Sequence, residues 1–274
     1  MRAAVLQLSS QGVSSTKLLN YIRIANKKGV KVLLLGEYIL NPFFKELHTI
    51  SKAMLKEQAT HHTTILKDLA TTYNITIIAP IIVIKKDKIF KTVAKFAPSS
   101  TSYYQQQLLI NYPHWNEEKY FDNEIKPLQP PLVFTIDGFK FGVMSGFELH
   151  FDEIFTHLKQ KKIDCLLVPS VATFESYERW KALITTRAFT NNCYILRANR
   201  IGEYQEKEAQ WRFYGDSVLA SPHGEIVQHL GNSEELMIVD IHHHEVLQAR
   251  KMWGFSEAVK KRTQNTKGNY ASLL

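Results

Sequence analysis

Cysteine is almost absent from this chain, with two residues, Cys165 and Cys193, among 274. Both lie inside apolar runs, DCLLVP and CYIL, where a free thiol behaves as a small hydrophobe. A disulfide framework and a cysteine-ligated zinc site are thereby excluded. Glycine (12) and proline (9) are too few for a collagenous or low-complexity chain. No window approaches the roughly eighteen consecutive apolar residues of a membrane span. The opening MRAAVLQLSS reads as a strand rather than a leader, so a cytoplasmic protein with no membrane partner is expected. The patterns GxxxxGK[ST], GxGxxG and GxSxG are also missing, which removes the usual support for ATP, a dinucleotide or a serine-hydrolase elbow.

A concentrated charge of one sign is lacking as well. Lys plus Arg is 34 against 26 for Asp plus Glu, a formal +8, but the basic residues are scattered and the tightest group is Lys159, Lys161 and Lys162. Nucleic-acid binding needs a denser stripe interleaved with aromatics and is not expected. His242-His243-His244-Glu245 fails as HExxH because position 248 is Gln248, and three consecutive side chains point in different directions. It reads as a polar strand-to-helix junction, and His61-His62 as part of a helix. Glu148, His150 and Asp152 alternate along a short stretch but offer only two carboxylates and one imidazole. No metal is expected.

What the chain does have is regular patterning at 45% hydrophobic content. Ala3 to Leu8, Val30 to Leu35 and Ile75 to Ile84 are short apolar runs, separated by helical patterns over Thr16 to Lys28 and Ser51 to Tyr73, which predicts an α/β fold. Ile89 to Leu109 predicts a hairpin turned at Pro98 to Ser102, and Leu132 to Ser145 another turned at Asp137-Gly138, so the sheet is mixed. Helices over Asp152 to Lys161 and Tyr177 to Asn191 alternate with strands Ile163 to Val168 and Tyr194 to Ala198, and Trp211 to Ala220 begins a closing set of strands. One domain over residues 1–250 is expected, followed by an extended C-terminal segment, 251–274. Met252, Trp253 and Phe255 in that segment form an apolar cluster suited to a dimer interface.

Glu37 stands out because LLLGEY sets a carboxylate at the carboxyl end of a buried strand, where α/β proteins place their crevices. The segments around it occur in a recognisable order: MRAAVLQL, VKVLLLGEY, SYYQQQLLINYPHWNEEKYF, FGVMSGFELHFDE, DCLLVPS, RAFTNNCYILRANRIG and YGDSVLASPHGEI. In this the sequence resembles the carbon-nitrogen hydrolase family, the nitrilase and amidase superfamily. The resemblance implies a four-layer α-β-β-α sandwich, a Glu-Lys-Cys triad, no cofactor and dimer formation. It puts Glu37 at the general base and Glu117 at a second glutamate. Gln106 falls at the lysine and Gly146 at the cysteine nucleophile; sliding the register to rescue Lys95 or Lys119 breaks both flanks. Phe147 and Ser170 fall at substrate-binding positions.

These departures predict a catalytically impaired homologue that binds a small amide, nitrile or amine, or serves as a partner subunit in a homo-oligomer or in a mixed oligomer with an active paralogue. The alternative is an active amidase working through Ser145 or through water activated by Glu37. Strand alternation predicts that the Ser145 hydroxyl points away from the site unless the elbow is shifted by one residue.

Overall fold

The computed structural model describes residues 1–12, 16–206 and 209–269. The elements of the first half are β1 (Arg2–Gln7), α1 (Thr16–Lys27), β2 (Val32–Leu35), α2 (Phe44–Leu47), α3 (Lys52–Thr72), β3 (Thr76–Lys85), β4 (Lys88–Ala97), β5 (Ser100–Gln105), β6 (Leu132–Ile136) and β7 (Phe139–Val143). After a 3-10 turn at Gly146–His150 follow α4 (Asp152–Lys161), β8 (Cys165–Pro169), α5 (Tyr177–Asn191), β9 (Tyr194–Ala198), β10 (Ile201–Glu206), β11 (Ala209–Tyr214), β12 (Val218–Ala220), β13 (Ile226–His229), β14 (Glu235–Asp240), α6 (His243–Trp253) and α7 (Phe255–Asn269). One six-stranded sheet has the order β14-β1-β2-β3-β4-β5 and the other β13-β12-β9-β8-β7-β6, with β10 and β11 forming a separate ribbon. β1, β2 and β3 run parallel, as do β7, β8 and β9, and the outer strands are antiparallel.

The apolar runs explain the layering. A sheet covered on both faces reads as continuous hydrophobicity, and only the period of two separates its faces. Val5, Val32 and Leu34 of the first sheet meet Phe141, Cys165, Leu167 and Leu196 of the second, forming the core between the sheets. Their neighbours Leu6, Leu33 and Leu35 face outward onto α1 and α3, through Leu18, Ile22 and Leu66. Leu166 and Val168 likewise face α4 and α5, through Ile154, Leu158 and Ile184. The result is the α-β-β-α sandwich that the resemblance implied.

Three details differ from the sequence reading. Trp211 to Ala220 is two strands, broken at Gly215, whose φ of +75° suits glycine. Ile201–Glu206 is an additional strand paired with β11. The segment from Lys251 is not extended: α6 runs through Trp253, and α7 continues to Asn269. Gly254 (φ +62°) closes α6, and Trp253 and Phe255 turn back onto Phe189 of α5, with ring centroids 4.9 and 5.3 Å away. Residues 270–274 of that segment lie outside the described residues. Cys165 and Cys193 are both buried, and burial pushes both thiols up, Cys193 to about 12. Among the described residues, no helix is long and apolar enough to cross a membrane.

Polar side chains also pin the sheets together. Gln7, buried at the end of β1, accepts from the Ser217 backbone N–H (3.0 Å) and hydroxyl (2.8 Å), and donates to the carbonyls of Gly231 and Ser233 (both 2.9 Å). Substituting Gln7→Leu strands these groups without partners, so a loss of about 3 kcal/mol in unfolding free energy is expected. Urea denaturation measures it, and a loss below about 1 kcal/mol would refute the pinning role.

Candidate functional site

The site forms where the parallel strands of both sheets end. Past β2, the Glu37 backbone N–H donates to the Ser170 carbonyl just past β8, at 3.0 Å, so the segment carrying the carboxylate is tied to both sheets. Glu37 is 2% exposed. Its Oε2 lies 2.6 Å from the ammonium of Lys91, which reaches in from β4. The same ammonium donates to both oxygens of Glu117, at 2.8 and 2.9 Å, and Glu117 also accepts from the Tyr38 hydroxyl at 2.6 Å. Taking such ions out of water costs several kcal/mol each, and only close pairing offsets it.

The proton balance follows from this geometry. Burial alone would lower the Lys91 pKa, but Glu117 and then Glu37 outweigh it, and the net direction is upward, so Lys91 stays an ammonium. Glu37 is also raised: burial pushes it up, Lys91 opposes, and Glu117 adds to the rise.

On its other side, Glu37 Oε1 faces the Ser145 hydroxyl at 3.3 Å and the Gly146 backbone N–H at 3.4 Å. Ser145 therefore points into the site, against the expectation from strand alternation, because β7 ends at Val143 and the chain turns into the 3-10 segment. Its hydroxyl makes a shorter bond, 2.9 Å, to Gln106 Oε1, and Gln106 Nε2 donates to the Leu108 carbonyl at 2.8 Å. Glu148 anchors the turn, accepting from the Tyr104 hydroxyl (2.9 Å) and the backbone N–H groups of Gln107 (2.7 Å) and Ser145 (3.0 Å).

Gly146 has no room for a side chain. A β-carbon there would lie 2.6 Å from Ser170 Cβ. Ser170 is held by its own N–H to the Ala198 carbonyl (2.8 Å), and its hydroxyl accepts from Arg197 Nε at 2.8 Å. Arg197 is itself wholly buried, with its guanidinium 4.5 Å over the Trp180 ring.

A cavity of about 590 Å³ opens at Glu37, which is its one lining carboxylate among the described residues. Tyr112, Trp115, Phe147, Phe174 and Trp180 stand in its walls beside His114 and His150, and among the described residues Arg179 is its one lining Lys or Arg. Phe147 lines this cavity. Ser170 does not border the cavity; it packs behind Gly146. Glu37 and Gln106 come together with Ser145, and Glu117 joins through Lys91. No group of three or more His, Cys, Asp or Glu suited to holding a metal ion occurs among the described residues.

Lys91 is the member that the sequence reading missed. In the β4-β5 hairpin, Thr92 pairs with Gln105, and one step further the Gln106 N–H donates to the Lys91 carbonyl at 3.1 Å. Opposed residues of an antiparallel pair present their side chains on one face. A hairpin register drawn through Pro98-Ser99 puts a cation opposite Gln106, and that signal was available in the sequence.

The carbon-nitrogen hydrolase family profile matches residues 2–251, and the chain belongs to that family. A deaminated glutathione amidase of Synechocystis is 24% identical over 262 residues, covering 91% of this chain and 94% of that one. A deaminated glutathione amidase of Dictyostelium discoideum is 31% identical over 104 residues, covering 37% and 35%. Among solved structures, a carbon-nitrogen hydrolase from Helicobacter pylori superposes with a TM-score of 0.80 at 20% identity, covering 93% of this chain and 94% of that one. The NitN amidase of a Nesterenkonia species superposes at 0.76 and 20%, covering 90% and 95%.

Glu148 carries a pH consequence. Burial raises it to about 7 against the opposing hydrogen bonds from Gln107 and Ser145. An acid whose folded value is raised contributes its stability fully below the usual carboxylate range, and that contribution is lost as pH rises toward 7, a change of roughly 3 kcal/mol. Carboxyl-carbon NMR, with the resonance assigned through Glu148→Gln, should find a midpoint near 7. A midpoint in the ordinary range near 4.3 would contradict it.

Proposed function

We propose that this chain binds a small molecule bearing an amide or amine in the Glu37 cavity and does not turn it over by the covalent route, acting as a ligand-binding or partner subunit. The observation that carries the reading is the closure at Gly146: Ser170 fills the space a side chain at that position would need. Neither Gly146 nor Ser145 borders the cavity, whereas Glu37 does. Loss of a covalent nucleophile costs on the order of 10⁶ in kcat in a well-characterised serine protease, so the remaining charges do not substitute for it. The amidase names of the relatives favour an amide as ligand. The exposed Met252 and Trp253 at the end of α6, 59% and 42% accessible, favour assembly with a second subunit.

One contact favours a different reading. The Ser145 hydroxyl lies 3.3 Å from Glu37 Oε1, within reach of a general base, and the ammonium of Lys91 lies on the other carboxylate oxygen. In that reading the protein is an amidase with a serine nucleophile.

Binding is followed by the fluorescence of Trp115 and Trp180, which line the cavity. Ammonia release from a panel of amides and nitriles measures turnover, and intact mass detects adducts. Saturable binding with no ammonia and no adduct is expected. Turnover that disappears in Ser145→Ala would overturn this reading in favour of the serine amidase.

A further inference from the structure

Glu37 presents two unlike oxygens. Oε2 is engaged by Lys91 at 2.6 Å, while Oε1 has, among the described residues, only the longer contacts to Ser145 (3.3 Å) and Gly146 (3.4 Å). The single proton of the Ser145 hydroxyl has its shorter bond at Gln106 Oε1, 2.9 Å away. An ionised carboxylate offers lone pairs and no donor. Glu37 lines the cavity, and a ligand group that comes to its less engaged oxygen completes the site with an N–H. A bare acceptor brought there sets lone pair against lone pair and leaves both groups unsatisfied.

The charges around Glu37 single out Lys91. Glu117 faces it from the loop after β5, through Lys91. Tyr38 is turned to Glu117. From β9, Arg197 directs its guanidinium to the Ser170 hydroxyl and, at 3.3 Å, to the Asp216 carbonyl. From the turn, Glu148 is engaged by Tyr104, Gln107 and Ser145. At the cavity wall stand His114, His150 and Arg179. Of these, only Lys91 makes an ion pair with Glu37.

We propose that Lys91 is the specificity-determining residue of this cavity: by holding Glu37 as a carboxylate, it makes the cavity a receptor for ring-bearing molecules that end in an amide or ammonium N–H, and disfavours those that end in a nitrile or a carboxylate. The inference rests on the reading that the cavity is a ligand site. Removing Lys91 leaves two buried carboxylates facing each other, and one must take a proton. Glu117 keeps the Tyr38 hydroxyl as a donor at 2.6 Å, so Glu37 is the one that becomes a donor, and the preference among ligands inverts. The aromatic walls serve either kind of ring, and Tyr112 and Phe147 meet edge to face at 5.9 Å. An ammonium gains further from their faces. Because the Gln106 N–H bonds the Lys91 carbonyl, the two side chains share one face, and moving the lysine to position 106 tests whether an ammonium from there serves the same carboxylates.

The test measures affinities of benzylamine, benzamide, benzonitrile and benzoate at pH 8 by cavity tryptophan fluorescence, for the unmodified protein, Lys91→Met and the exchange Lys91→Gln with Gln106→Lys. The unmodified protein should bind the amine and amide about tenfold or more tightly than the nitrile and benzoate, roughly 1.4 kcal/mol. Lys91→Met should lose or invert that order, and the exchange should restore it, which a merely structural lysine would not do. A second arm needs no variant: the preference of the unmodified protein should weaken as acid protonates Glu37. Equal affinity for amide and nitrile, or an order unchanged in Lys91→Met, overturns the proposal while leaving the ligand site standing. Failure of all four to bind overturns the ligand-site reading itself.

Discussion

The ammonium of Lys91, set between the carboxylates of Glu37 and Glu117, is the constraint on which the rest of the site depends. Three charges can remain in an apolar interior only while their separations hold, because each loses several kcal/mol of hydration. The trio joins β4 to the segment after β2 and to the loop that carries Glu117. Its lower boundary is the core between the sheets, and its open side is the aromatic cavity. The Tyr38 hydroxyl closes the remaining face of Glu117.

Behind this trio lies a second polar group of a different kind. Arg197 is wholly buried and directed to neutral oxygens and an aromatic ring rather than to a carboxylate. Burial lowers its pKa, with Tyr214, Asp216 and Glu37 acting the other way. Its bond to Ser170 fixes the side chain that abuts Gly146, so the close packing at Gly146 and the buried arginine belong to one arrangement. Installing a thiol at position 146 would have to move Ser170 as well.

Much of the fold was legible because sheets covered on both faces write themselves as apolar runs, and helices as a 3.6-residue rhythm. Helix Tyr177–Asn191 and strand Tyr194–Ala198 fall where the pattern put them. The C-terminal helices were not, since α7 is mostly polar and its rhythm is faint. Glu37, Glu117, Gln106 and Phe147 could be placed from the residues flanking them. Lys91 was passed over, because a comparison made position by position follows the chain, whereas an ammonium on four methylenes follows a point in space. Ser145 was misdirected for a related reason: alternation holds only while the strand continues, and this one ends two residues earlier.

The bond from the Glu37 N–H to the Ser170 carbonyl makes the inner end of the cavity common property of both sheets. Sliding one sheet over the other would shear that bond and the Gln7 contacts together. Tyr112, Trp115, Phe174 and Trp180 of the cavity wall sit on loops and on a helix rather than on either sheet. Shape and polarity are thus mechanically decoupled. Substitutions among the aromatic residues would alter the outline of the cavity without touching the carboxylate held at its inner end by the sheets.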